Sequence, residues 1–398
     1  MKILFITHLY HPAIGGAERV FRRIAEGLAG LGHDVTVLTS DALSTDHYYD
    51  HAPSGIPLRE ILGGVEIIRE SVDIPAYKRL RIFDRTARRL GRIGALGRPL
   101  TFGPHFRAAF RKVQGRDYDA IMAGPTPTSA IFYGLAYKWT HRGARLILFP
   151  HLHIQDRLHR TCINRWTLRR ADRVLVLTEV EKRYLLRKRI RESKIVRIVN
   201  AVDDHVFEAG VSPENGLKDY VLYLGQEGGH KRIPLLIRAM SRLWDRGCVN
   251  PLVIAGARTD YSVTVDKTIA QLPERHRRMI HRFNDIPEER KAALIDHGRV
   301  LVNPSSFEAF GIVFLEAWAR RKPVIGADIP AVREIVGDGK KGLLFKDKDG
   351  LDLEKKIEMM LGDRGMAEKM GQAGYKDVAA HYRWDQVVKN IEAVAAGR

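Results

Sequence analysis

Short apolar runs recur along this chain, each followed by a loop and then by a segment whose apolar residues fall at helical spacing. KILFIT opens the chain and HLYHPAIGGAER follows as a loop. From Ala17 to Leu31, Val20, Phe21, Ile24, Leu28 and Leu31 then recur with a helical period. Gly30 and Gly32 offer a helix stop, and HDVTVLTS supplies the next strand. The pattern continues through DAIMAG, a helix around 129–142, RLILFP, a helix around 164–171, DRVLVLT and a helix around 179–189. Parallel strands need a crossover, which is usually a helix, so this alternation predicts a parallel α/β sheet covered by helices.

The same grammar starts again after a loop at 203–219. VLYLG precedes a helix at about 233–247, then come PLVIAG, RVLVNPSS, the helical EAFGIVFLEAWARR, KPVIGAD, a short helix at 330–336 and KGLLF. A chain of 398 residues is too long for one ordinary core. The expected architecture is two Rossmann-like doubly wound parallel-sheet domains, 1–202 and 203–374, followed by a helical tail over 375–398.

Composition narrows the class. The chain is 45% hydrophobic and 28% charged, a globular balance. Cys162 and Cys248 lie far apart without metal-ligand neighbours, which suits a reducing compartment. The longest uncharged run, AIMAGPTPTSAIFYGLAY, is interrupted by Pro125, Pro127 and two glycines, so it reads as strand, turn and buried helix rather than as a membrane span. No signal-peptide core precedes the first strand. A soluble, cytoplasmic protein is expected.

Charge is distributed unevenly. Residues 1–200 hold 35 Lys/Arg against 18 Asp/Glu, whereas 201–398 hold 31 against 29. A basic half implies an anionic partner, such as a membrane surface, a phosphorylated substrate or nucleic acid. From Tyr77 to Arg116 there are twelve Lys/Arg and one acid, Asp84, interleaved with apolar residues from Leu80 to Phe110. This insertion in the first domain reads either as a membrane- or phosphate-facing element or as a solvated helical face. Nucleic-acid binding is the remote alternative, but no helix-turn-helix, RNA-binding aromatic signature or zinc module is visible.

In open α/β sheets, ligands bind beyond the carboxyl ends of the strands. After the first strand, Gly15-Gly16 leads into a helix, where free N–H groups suit an anion. His151 follows RLILFP and could donate a hydrogen bond or carry a proton. Lys231 sits in the Gly-rich QEGGHK loop, a placement suited to neutralising phosphate. After VLVN, Glu308 falls in a turn, and Glu316 lies inside the next helix. If that helix begins near Phe310, the amides of Phe310, Gly311, Ile312 and Val313 are its free ends. Carboxylates that accept from hydroxyls beside amides that donate to phosphate suit a polyhydroxyl ligand carrying phosphate.

Five motifs now stand in order: Pro-x-x-Gly-Gly-x-Glu at Pro12–Glu18, Gly-His-Asp-Val at 32–35, Asn-x-Val-Asp at 200–203, the Gly-rich loop ending in Lys231, and Pro-Ser-x-x-Glu-x-Phe-Gly-x₄-Glu at 304–316. Over nearly its full length the chain resembles retaining GT-B glycosyltransferases of family 4, which transfer a sugar from a nucleotide-diphosphate donor. The resemblance implies two domains facing a cleft, with a C-terminal helix crossing back to the first. Glu308 would accept from the donor sugar's hydroxyls and Glu316 would hold the ribose. Lys231 would neutralise the diphosphate, and the Phe310–Val313 amides would contact sugar and phosphate. Gly15 and Gly16 would admit the diphosphate, and His151 would face the sugar. Glu308, His151 and Lys231 are the expected catalytic group.

The family normally has an arginine where this chain has Gln226, and a neutral amide does not replace a bidentate guanidinium. Arg232 is the candidate substitute. The one Asp-x-Asp triplet, Asp347-Lys348-Asp349, reads as a solvated loop, so no metal and no cofactor is expected. The expected partners are a nucleotide sugar (UDP-, GDP- or ADP-linked), a glycan or lipid-linked acceptor and an anionic inner membrane face, with no nucleic acid. A relative without acceptor transfer, an epimerase or pseudoenzyme, is the alternative that Gln226 keeps open.

Overall fold

The computed structural model describes residues 1–13, 15–44, 48, 54–73, 103–152, 161–208, 216–284 and 286–398. The expected insertion at 77–116 therefore lies outside the described residues as far as residue 102. Its remainder forms the helix Ala108–Gln114, which buries Ala109, Phe110 and Val113. Phe106 and Phe110 pack on the ring of Tyr133, with centroids 5.1 and 4.9 Å away.

The chain divides into two compact units, Met1–Val199 with Trp384–Arg398, and Asn200–Arg383. In the first, β1 (Lys2–Ile6), β2 (Asp34–Ser40), β3 (Arg59–Leu62), β4 (Val65–Glu70), β5 (Ala120–Ala123), β6 (Arg145–Leu148), β7 (Arg173–Val176) and β8 (Ile195–Arg197) form one sheet. The strand order is β3-β4-β2-β1-β5-β6-β7-β8. Every pair is parallel except β3–β4, an antiparallel edge hairpin absent from the sequence reading. Gly63 and Gly64 close it at φ 58° and 77°, the backbone that a two-residue primed turn demands.

In the second unit, β9 (Tyr220–Leu224), β10 (Leu252–Ala255), β11 (Ile280–Phe283), β12 (Gly298–Asn303), β13 (Val324–Ala327) and β14 (Gly342–Phe345) run parallel in the order β11-β10-β9-β12-β13-β14. Sheets covered on both faces need strands apolar throughout, and all five residues of β9 are buried. Each such Val or Leu contributes about 1.5–3 kcal/mol.

Strand order reverses at β1/β5 in one sheet and at β9/β12 in the other, which makes the carboxyl ends of those strands the ligand-binding positions.

The tail divides later than residue 375. The helix Arg364–His381 stays with the second unit, because Gly374 and Gly371 let it seat tightly. A methyl at Gly374 would stand 2.1 Å from Trp318 Cδ1, and one at Gly371 the same distance from the Arg321 carbonyl. Only from Trp384 does the chain join the first unit, where the helix Trp384–Ala396 packs on the helix Gly16–Gly30. Gly27 admits Val388 there, His33 Nε2 meets Glu392 at 3.0 Å, and Arg145 donates to the Ala395 carbonyl at 2.6 Å.

Candidate active site

In the second unit, the loop after β9 and the loop after β12 are tied together. The Ser306 amide donates to the His230 carbonyl at 2.7 Å and its hydroxyl at 2.9 Å, while the His230 ring stacks on Phe307 at 4.6 Å. This lacing brings Lys231 Nζ to 2.5 Å from Glu308 Oε1, and Asn303 Nδ2 donates to the same oxygen at 3.2 Å. Burial raises the Glu308 carboxyl. The Lys231 ammonium, with hydrogen bonds from Lys231, Asn303 and Ser305, outweighs that and holds it below the ordinary range. The result is a largely enclosed, ionised carboxylate, its side chain 13% exposed.

Glu316 is fully buried, and Lys291 Nζ from the helix Glu288–His297 lies 2.8 Å from its Oε1. The sequence reading assigned Glu316 a ligand and did not find Lys291. Glu227, next to Gln226, is likewise buried and held by Arg282 through bonds of 2.6 Å to each carboxylate oxygen. Arg282 also pairs with Asp266.

The helix that carries Glu316 begins at Ile312, not near Phe310. Gly311 is the reason: it caps the helix at φ 91° and ψ 60°, a left-handed conformation, and any side chain there would strike Phe314 at 2.8 Å. The first helical amides are therefore those of Ile312 and Val313, which have no carbonyl of their own helix to bond. Phe310, one residue before the cap, is buried, and Gly311 and Phe310 lie in the approach rather than in the helix.

Gln226 contributes no charge, and its carbonyl accepts from the Tyr223 hydroxyl at 3.0 Å. Arg232 is held in the left-handed region at φ 50° and pairs with Asp347. Its guanidinium is thus already engaged by a carboxylate. Asp349, the other acid of the triplet, caps the helix Gly350–Gly362 through the amides of Leu351 and Asp352, each at 3.0 Å. Among the described residues, no cluster of three or more His, Cys, Asp or Glu is arranged to hold a metal ion.

Gly15, Gly16 and His151 belong to the first unit. The two glycines differ. A methyl at Gly15 would lie 2.1 Å from Glu18 Oε2, whereas one at Gly16 would meet nothing within 4 Å. His8 Nε2 lies 3.4 Å from Glu18 Oε1. Both groups are buried, and desolvation lowers the His8 imidazole to about 4 and raises the Glu18 carboxyl. Neither residue was singled out from the sequence as a site residue. His151 follows β6 at φ 46°, buried and stacked on Phe149 at 3.9 Å.

Two family models match the chain. Residues 15–201 match the glycosyl transferase 4-like domain, and residues 207–377 match glycosyl transferases group 1. The chain is a GT-B glycosyltransferase. It is 25% identical to an uncharacterized glycosyltransferase of Methanocaldococcus jannaschii, over 98% of this chain and 96% of that one. Sucrose-phosphate synthase from Thermosynechococcus elongatus superposes with a TM-score of 0.74 at 19% identity, covering 100% and 98% of the two chains. The Anabaena protein HepE, in complex with UDP and glucose, does so with a TM-score of 0.72 at 17% identity, covering 100% of both. In this glycosyltransferase, then, the paired loops after β9 and β12 occupy the topological position where such folds take ligands.

Proposed function

We propose that this glycosyltransferase is retaining and metal-independent, and that it moves a sugar from a nucleotide-diphosphate donor to a membrane-associated or anionic acceptor such as a lipid-linked glycan. The observation that carries the reading is the Lys231–Glu308 pair at the β9/β12 reversal, beside the free amides of Ile312 and Val313. Breaking the anomeric C–O bond develops positive charge on the sugar and negative charge on the departing diphosphate. Lys231 and the helix amides supply fixed positive potential for the latter, and Glu308 accepts from sugar hydroxyls. Glu316 accepts from the ribose. The acceptor oxygen attacks from the face the diphosphate leaves, forming the new C–O bond as the old one breaks, and the leaving phosphate takes the acceptor proton. The UDP and glucose held by HepE favour a nucleotide-sugar donor, and the basic first half favours an anionic acceptor at a membrane surface.

Gln226 and the engagement of Arg232 by Asp347 favour a second reading, a relative that consumes its donor without transferring to an acceptor. Proton NMR of the product formed with a chelator present separates these readings. A product with the donor's anomeric configuration supports the proposal. Inversion, loss of activity in chelator, or donor consumption unaffected by any acceptor overturns it.

A further inference from the structure

The helices Ala130–Thr140, Cys162–Arg170 and Glu179–Arg187 connect β5, β6, β7 and β8, which lie side by side in that order. Right-handed crossovers in one direction put all three helices on the same face of the first sheet. That face leaves two indoles in water: Trp139 is 60% exposed and Trp166 is 37% exposed. They touch edge to face, with centroids 6.1 Å apart and planes at 85°, and the Arg170 guanidinium lies over Trp166 at 3.9 Å.

The helix Cys162–Arg170 buries Asn164, Thr167 and Leu168 and turns Arg165, Trp166, Arg169 and Arg170 to solvent. No carboxylate opposes these arginines on their own helix. Residues 161–200 hold twelve Lys/Arg and four acids. Asp172 pairs with Lys138, Glu192 pairs with Lys182, and Glu181 closes a capping box with Thr178. Beside the helix opens a pocket of about 130 Å³, with Leu168, Tyr184, Leu185 and Ile190 in its lining and Arg165 and Lys188 among the polar ones.

We propose that this three-helix face is the surface by which the enzyme docks on an anionic bilayer. Indoles combine a large apolar ring with one polar N–H and favour the membrane–water interface. The uncompensated arginines match a negative headgroup layer, and the apolar pocket with cationic groups accepts a phosphate with the chain behind it. The proposal rests on the membrane half of the proposed function and assigns it to the three-helix face.

Flotation of the full-length protein with phosphatidylcholine vesicles, with and without equimolar phosphatidylglycerol, tests it at low salt. Binding should require phosphatidylglycerol, and Arg165→Ala/Arg169→Ala should lower the partition about 30-fold, from about 1 kcal/mol per basic side chain near an anionic surface. Brominated lipid should quench the wild-type fluorescence, and Trp139→Phe/Trp166→Phe should abolish that quenching. All four substituted residues are exposed. Binding to phosphatidylglycerol that both variants retain unchanged overturns this surface and leaves the membrane half of the function standing. Absence of binding to any vesicle overturns both, while donor-dependent transfer remains a separate measurement. Self-association that the tryptophan variant loses assigns the face to a second copy and overturns the proposal as well.

Discussion

At the end of β12, Glu308 is largely enclosed and ionised. At the end of β1, His8 and Glu18 are buried and pushed toward their neutral forms. Both places are strand-order reversals, and topology alone would make them equivalents. The difference lies in the loops. After β9 and β12, three enclosed carboxylates are each given a cation from another element: Lys231 for Glu308, Lys291 for Glu316 and Arg282 for Glu227. After β1, Glu18 meets the His8 imidazole, which desolvation keeps uncharged. A carboxylate in a dry site keeps its charge only where a partner is built for it. The second unit therefore presents fixed charges, and the first a polar pair near neutrality.

Removing one cation breaks this contrast most severely. Lys231→Met strands the Glu308 carboxylate and should cost about 3–5 kcal/mol in urea unfolding, whereas Lys231→Met/Glu308→Gln should recover most of the loss. The His8 contrast shows up with pH. Its folded value of about 4 lies below the ordinary 6.5, so the unfolded chain binds more protons between them, and the stability contributed by the neutral imidazole is present above pH 6.5 and lost as pH falls through about 4. That window is worth on the order of 3 kcal/mol. Glu18 acts oppositely, its contribution being lost as pH rises through its raised value. His8→Gln should flatten the loss of stability between about pH 6.5 and 5.

Gln226→Arg sharpens the comparison by adding a charge to the loop that already carries them. A charge-assisted bond is worth about 1.5–3 kcal/mol, so titration calorimetry should show nucleotide-diphosphate affinity rising by about ten-fold or more. Gly311→Ala forces a side chain to φ 91° against Phe314 and should lower stability by about 1–3 kcal/mol, read as a fall in Tm.

Much of this was legible in the sequence, for local reasons. YVLYL is apolar throughout, and KILFI is after its exposed Lys2, because both faces of each sheet are covered. The paired glycines of the β9 loop and the SSFEAFG turn marked the ends of the right strands. What escaped depends on distant partners. Nothing in the spacing of Lys291 connects it to Glu316, 25 residues away, or joins Arg282 to Glu227, 55 residues away. The antiparallel β3–β4 hairpin did have a signal, Gly63-Gly64 between two strand-like runs, but it departs from the parallel strand-and-helix alternation around it. The helix start at Ile312 turned on one glycine adopting a left-handed conformation, a state that sequence permits without demanding.

The proposed function requires the charged loops of the second unit to bind a nucleotide diphosphate. Thermal unfolding of the wild-type protein with UDP, GDP or ADP tests it directly. One nucleotide should raise Tm selectively and in proportion to the logarithm of its concentration, and Glu316→Gln should weaken that response. No stabilisation by any of the three, or an equal response in Glu316→Gln, would contradict it.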